Sequence, residues 1–212
     1  MENLFKMKER DSLIFDLDGT LWDASETVYK AFNDSIKQIG YEVSVTAQEV
    51  RNFSGLKMDD IFARNFGFIP KEKLPEFIQI YSNKEKEYLG KSGGKLFPNL
   101  AETLEKLSSK YRLFIVSNCM AGYIETFLDY HGFRMIFEDF ECFGNDNLPK
   151  DENIKLIVKR NNLQNPVYIG DTIWDKESSE KAGVDFIYAA YGFGKIENCE
   201  YQIAAFEDLL NI

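Results

Sequence analysis

The run Leu13-Ile14-Phe15-Asp16-Leu17-Asp18-Gly19-Thr20-Leu21 constrains this chain more than any other. Ser12 to Phe15 reads as a strand buried on both faces, because Leu13, Ile14 and Phe15 are apolar without alternation. Gly19 breaks the strand, since only Gly turns this sharply without steric cost. Asp16 and Asp18 therefore stand at the carboxyl end of a buried strand, where open α/β sheets bind ligands. Two residues apart on an extended chain, their carboxylates point the same way. Like charges this close are costly unless a cation or a shared proton relieves them. A hard cation such as Mg²⁺, held by one or two carboxylates together with a substrate phosphate, fits.

The stretch that follows changes character. Residues 24–39 carry apolar side chains at close to helical period, and Gly40 is a C-terminal stop. Thr46 with Glu49 is the pattern of a capping box opening a short helix. Gly55 interrupts, residues 58–66 read as a further helix, and residues 70–89 as a longer one ended by Gly90. From Trp22 to Lys91 no strand is expected, and the aromatic residues of this block are expected to be core. Ser92-Gly93-Gly94 reads as a hinge. Beyond it, strands expected at 112–117, 140–143, 166–171 and 184–189 alternate with helices at 99–110, 124–130, 152–161 and 174–182, and 206–210 as a short helix. Such alternation implies a doubly wound, Rossmann-like parallel sheet of the α/β class. The expected organisation is a split core of residues 1–21 and 93–212 with an inserted alpha-helical cap over residues 22–92.

Charge and composition narrow the partners. Twenty-five basic against thirty-five acidic residues give a net charge of -10, which argues against nucleic acid, since a phosphate backbone needs a basic footprint. No apolar run approaches the ~20 residues needed to cross a bilayer, so no membrane is expected. The N-terminus carries no signal-peptide pattern. Cys119, Cys142 and Cys199 show no paired spacing, which favours a reduced, cytoplasmic setting. A monomer or homodimer is expected.

Four polar strand ends now fall on one edge of the expected sheet: Asp16 with Asp18, Ser117 with Asn118, the loop bearing Lys150, and Asp171 with Asp175. Together they supply carboxylates for a metal, a hydroxyl and an ammonium for an anion, and a candidate nucleophile. Asp171 could instead be a helix N-cap and Asp175 a first-turn acid.

These residues resemble a known family. Phe15 to Leu21 matches the first motif of the haloacid dehalogenase (HAD) superfamily, Val116-Ser117-Asn118 the second, and Gly170 to Asp175 the fourth, in family order. The third motif departs from the commoner Lys-Pro form: Lys150-Asp151-Glu152-Asn153-Ile154 fits a Lys-x-x-Asn-Ile variant, with Lys155 or Lys159 as alternatives. The helical block resembles the cap of phosphoglycolate phosphatase and beta-phosphoglucomutase relatives. The resemblance implies that Asp16 attacks phosphorus and that Asp18 acts as acid and then base. It implies that Ser117, Asn118 and Lys150 bind the phosphoryl group. Asp16, the Asp18 backbone carbonyl and Asp171 would hold Mg²⁺, with Asp175 supporting the metal. Asp23, Arg51 and Lys57, at the junction and in a cap loop, are candidates for substrate selection.

The expected activity is Mg²⁺-dependent hydrolysis of a small phosphorylated metabolite, phosphoglycolate-like or a sugar phosphate, through an aspartyl-phosphate. A phosphomutase or a pyrophosphatase is the alternative on the same scaffold. The non-enzymatic alternative is a receiver-like domain that accepts a phosphoryl group on Asp16 and signals. Cys119, beside the Ser117-Asn118 loop, is a candidate for oxidation sensitivity.

Overall fold

The computed structural model describes residues 10–56 and 58–211, with the backbone alone for Met58 and Asp59. The order of elements is β1 (Ser12–Phe15), β2 (Trp22–Asp23), α1 (Ser25–Gln38), α2 (Ala47–Phe53), α3 (Met58–Asn65), a 3-10 turn (Lys71–Lys73) and α4 (Leu74–Ser92). Next come β3 (Lys95–Leu96), α5 (Leu100–Ser108), β4 (Arg112–Ser117), α6 (Tyr123–His131), β5 (Asp139–Cys142) and α7 (Phe143–Asp146). The chain closes with α8 (Lys150–Arg160), β6 (Pro166–Gly170), α9 (Ile173–Ala182), β7 (Asp185–Ala189), β8 (Gln202–Ile203) and a 3-10 turn (Phe206–Leu210).

Six strands form one parallel sheet in the order β5-β4-β1-β6-β7-β8. β1 is central, with Leu13 opposite Leu113 on one side and Val167 on the other. From this strand the chain winds one way to β4 and the other way to β6, which makes its carboxyl end the switch point where such sheets bind ligands. Leu13 and Phe15 join an apolar cluster with Leu104, Leu107 and Phe127 on one face. Ile14 joins Ile154 and Ile157 of α8 on the other. This double burial is why β1 is apolar at every core position.

Helices α1 to α4 lie between β2 and β3 in the chain. Their own core is aromatic: Phe32 stacks on Tyr81 with ring centroids 3.9 Å apart, and Phe62, Phe66 and Phe77 pack beside them. The expected capping box is present, with the Glu49 amide donating to Thr46 Oγ1 at 3.2 Å and Glu49 accepting from the Thr46 amide at 2.8 Å.

Several expectations are corrected. Trp22–Asp23 and Lys95–Leu96 pair as a two-stranded antiparallel ribbon at the base of the helical block, where the sequence predicts no strand. Helix α4 runs through Gly90 and ends at Gly93, whose φ of 61° closes it; Gly lowers helix propensity without forbidding it. Lys150 is the first residue of α8 and not a loop residue. Strand β8 and helix α7 are too short for a periodic signal. Among the described residues no helix is long and apolar enough to cross a membrane, and the three cysteines are free thiols.

Candidate active site

The carboxyl ends of β1, β4 and β6 and the start of α8 converge as the sheet topology requires. Lys150, 2% exposed, donates to Asp16 Oδ1 at 2.8 Å and to Asp175 Oδ1 at 2.6 Å. Asp175 is fixed from the other side by the amide (2.9 Å) and hydroxyl (2.6 Å) of Thr172. Thr172, and not Asp171, is therefore the N-cap of α9, with Asp175 completing a capping box. Asp171 is left for other work: its Oδ2 accepts from the amides of Phe193 (2.7 Å) and Gly194 (3.2 Å). Its Oδ1 is buried without a partner among the described residues.

The carboxylates of Asp16, Asp171 and Asp175 offer oxygens within 4.8 Å of one another. The Lys150 ammonium faces two of these three acids, Asp16 and Asp175. Burial pushes the Asp16 carboxyl up to about 6, against the pull of Lys150. Burial, with Asp175 and Asp16 beside it, raises Asp171 well above the carboxylate range. Burial also pulls the Lys150 ammonium down, but Asp16 and Asp175 outweigh it and hold the group above its ordinary value. A cluster of buried carboxyl oxygens, one of them orphaned and their ionised forms disfavoured while unpaired, is the donor set a hard divalent cation satisfies, so the residues present fit Mg²⁺.

Asp18 lines a cavity together with Asp16 and Lys150. Its Oδ1 accepts from the Tyr123 hydroxyl at 2.8 Å. Burial raises its carboxyl to about 7, against the opposing Tyr123 hydrogen bond. A carboxyl of that strength can exchange a proton near neutral pH. Gly19 lets the chain turn just after Asp18 and pass close to Asp171: its φ is 86°, and a Cβ there would sit 2.3 Å from Asp171 Oδ2.

The cavity, about 90 Å³, is floored by Asp16, Asp18, Ser117 and Lys150 and roofed by residues of α1, α2, α4 and the Gly55 turn. Ser117 is buried against it. Asn118, a candidate for phosphate binding, donates its side-chain amide to the Gly55 carbonyl at 2.9 Å and so ties sheet to cap. Arg51 and Asp23 meet as a forked ion pair, Nε and Nη2 lying 3.0 and 2.9 Å from Asp23 Oδ2. Lys57 lies outside the described residues.

Four cavity residues escaped sequence reasoning: Ser25, Tyr81, Glu85 and Tyr123. Glu85 accepts from the Tyr81 hydroxyl, and burial raises its carboxyl to about 8. A signal existed. Phe77, Tyr81, Glu85 and Leu89 recur every four residues and form the buried stripe of α4, so an acid occupies a core position of an amphipathic helix.

The model of the family described as haloacid dehalogenase-like hydrolase matches residues 13–189. A phosphoglycolate phosphatase of Psychrobacter arcticus is 27% identical over 199 residues, covering 87% of this chain and 85% of the relative. One of Vibrio cholerae is 26% identical over 200 residues, covering 88% and 87%. Among solved structures, a haloacid dehalogenase-like family hydrolase from Streptococcus pneumoniae superposes with a TM-score of 0.84 at 25% identity, covering 97% of this chain and 99% of that one. With its sheet order, its acidic strand ends and this match over most of its length, the chain belongs to the haloacid dehalogenase-like hydrolase family.

Proposed function

We propose that the protein is a Mg²⁺-dependent phosphatase acting on small phosphomonoesters through an aspartyl-phosphate on Asp16. The observation that carries this reading is Lys150 bridging Asp16 and Asp175 at a roofed cavity that the proton-exchanging Asp18 also lines. The curated relatives named above act on phosphoglycolate by name, which supports phosphomonoester hydrolysis.

The chemistry divides into two displacements, each easier than direct attack by water. In the first, an Asp16 carboxylate oxygen attacks phosphorus and the bond from phosphorus to the ester oxygen breaks. Asp18, as the neutral acid, gives its proton to the departing oxygen. In the second, Asp18 takes a proton from water, the water oxygen attacks phosphorus, and the bond to Asp16 breaks. Acid–base assistance of this kind is worth about 10²–10⁴-fold. Lys150 holds the Asp16 carboxylate in place, and with the Ser117 hydroxyl it stabilises charge on the transferring oxygens.

Asp16, Asp171 and the Asp18 backbone carbonyl would hold Mg²⁺, with Asp175 positioned by Thr172 behind them. When bound, the ion supplies charge neutralisation of the phosphoryl oxygens. The cavity wall of Phe32 and Phe53 excludes water around the reacting groups.

Phosphate release from a panel of phosphomonoesters in the presence of Mg²⁺, beside an Asp16→Asn control, tests the reading. Turnover that needs both Mg²⁺ and Asp16 is expected. No turnover of any ester, or turnover that survives Asp16→Asn, overturns it.

A further inference from the structure

The cavity has a further polar patch, on its cap side, that the reaction does not use. Glu85 is 4% exposed and Ser25 3% exposed, and both line it. Glu85 accepts from Tyr81 through Oε1, which leaves its second oxygen for a ligand. The Ser25 hydroxyl is buried without a partner among the described residues. Its backbone amide donates to Asp23 Oδ1 at 3.0 Å, which fixes the start of α1. Buried polar atoms of this kind carry a desolvation cost that a ligand's hydrogen bonds remove.

No free charge lies at this patch among the described residues. Burial keeps the Glu85 proton in place near neutral pH. Among the described residues the cations lining the cavity are Lys150 and Arg51. Lys150 is held between Asp16 and Asp175, and Arg51 is forked onto Asp23. A substrate tail ending in a carboxylate would bury a charge with no free cation beside it, which disfavours it. A tail hydroxyl both donates and accepts, and matches a carboxyl group and a serine hydroxyl. The apolar wall of Val28, Phe32 and Phe53 suits the C–H faces of a carbon skeleton.

We propose that Glu85 and Ser25 form a hydroxyl-selecting subsite in the cap. On this assignment the preferred substrate is a phosphomonoester of an uncharged polyhydroxylated compound, a sugar or polyol phosphate, and not a carboxylate such as phosphoglycolate. This deepens the phosphatase reading and rests on it.

The test is kcat/KM for glycerol phosphate, a pentose phosphate and a hexose phosphate against phosphoglycolate and phosphoglycerate. p-Nitrophenyl phosphate, which has no hydroxylated tail, reports the chemistry alone. The best hydroxylated ester should exceed phosphoglycolate by at least about tenfold, because a site built for hydroxyl groups leaves its polar atoms unpaired with the wrong ligand. Ser25→Ala should raise KM for that ester more than it lowers kcat. Glu85→Gln, which keeps the shape and removes the carboxyl group, should lower kcat/KM for that ester and narrow the ratio. Hydrolysis of p-nitrophenyl phosphate with phosphoglycolate as the best ester overturns the subsite and leaves the phosphatase reading standing. Equal effects of both variants on every ester also overturn it, since that is the mark of a purely structural role. Failure to hydrolyse p-nitrophenyl phosphate or any other ester removes the phosphatase reading and the subsite together.

Discussion

Lys150 Nζ lies 2.8 Å from Asp16 Oδ1, and the two residues are 134 apart in sequence. Both are almost fully buried, and the ammonium also faces Asp175. Removing one partner of a buried ion pair is more damaging than never having built it, because the remaining charge stays dry. Lys150→Met is expected to destabilise the metal-free protein by about 3 kcal/mol or more, measured by urea denaturation. Its phosphate-release rate should fall at least about 100-fold as charge stabilisation is lost. A variant with unchanged stability and rate would contradict the role given to this lysine.

Gly19 is held to Asp171 by lack of space. A methyl group there would meet the carboxylate at 2.3 Å, on a backbone with φ of 86°. Gly19→Ala should therefore push Asp171 off its two backbone donors and misplace an acid of the cluster. The Mg²⁺ concentration for half-maximal activity should rise at least about tenfold, the scale of losses when a metal ligand's support is disturbed. An unaltered Mg²⁺ titration would count against Asp171 as a ligand.

Asn118 couples sheet to cap by donating to the Gly55 carbonyl. Asn118→Ala removes that tie without touching Asp16 or Asp18. The expected result is a severalfold rise in KM with a change in stability of about 1 kcal/mol, the net worth of one hydrogen bond. A large drop in kcat with unchanged KM would instead place Asn118 on the phosphoryl group.

Glu85 carries a pH signature of its own. Burial raises its carboxyl from 4.5 to about 8. Between those values the folded protein keeps a proton that the unfolded chain releases, so the group's contribution is full below about 4.5 and declines as pH rises towards 8. Glu85→Gln cannot ionise and should lack this decline. Thermal melts across that window should show the variant gaining on the parent as pH increases; parallel melting curves would contradict a buried, neutral Glu85.

Much of this is legible in the chain. Leu13-Ile14-Phe15 followed by Asp16 and Asp18 announces a buried strand ending in acids, because burial on both faces removes the alternation that a half-exposed strand would show. Strands alternating with helices imply the parallel sheet, which brings Asp171 to Asp16, and the start of α8 adds Lys150. The ribbon of Trp22–Asp23 with Lys95–Leu96 is not legible, because two residues cannot show a period. Lys150 reads as a loop residue because Pro149 precedes it, although proline just before a helix is compatible with its first turn. Glu85 is hidden in a run of Lys and Glu that reads as a solvated face, and Tyr81 passes as core. Their roles depend on which stripe of α4 meets the cavity, and that is set by tertiary packing.

The most direct test of the central claim is to look for the phosphoryl group on Asp16. Asp18→Asn protein, incubated with Mg²⁺ and p-nitrophenyl phosphate, whose leaving group departs without a proton, and quenched in acid, should carry one phosphoryl group on the peptide containing Asp16, removable by hydroxylamine. The parent enzyme should release phosphate while the variant stalls, since a side-chain amide at this position cannot draw a proton from water. A pure acceptor domain would be phosphorylated and dephosphorylated alike in both proteins. Steady phosphate release with the label never found on Asp16 would contradict the account.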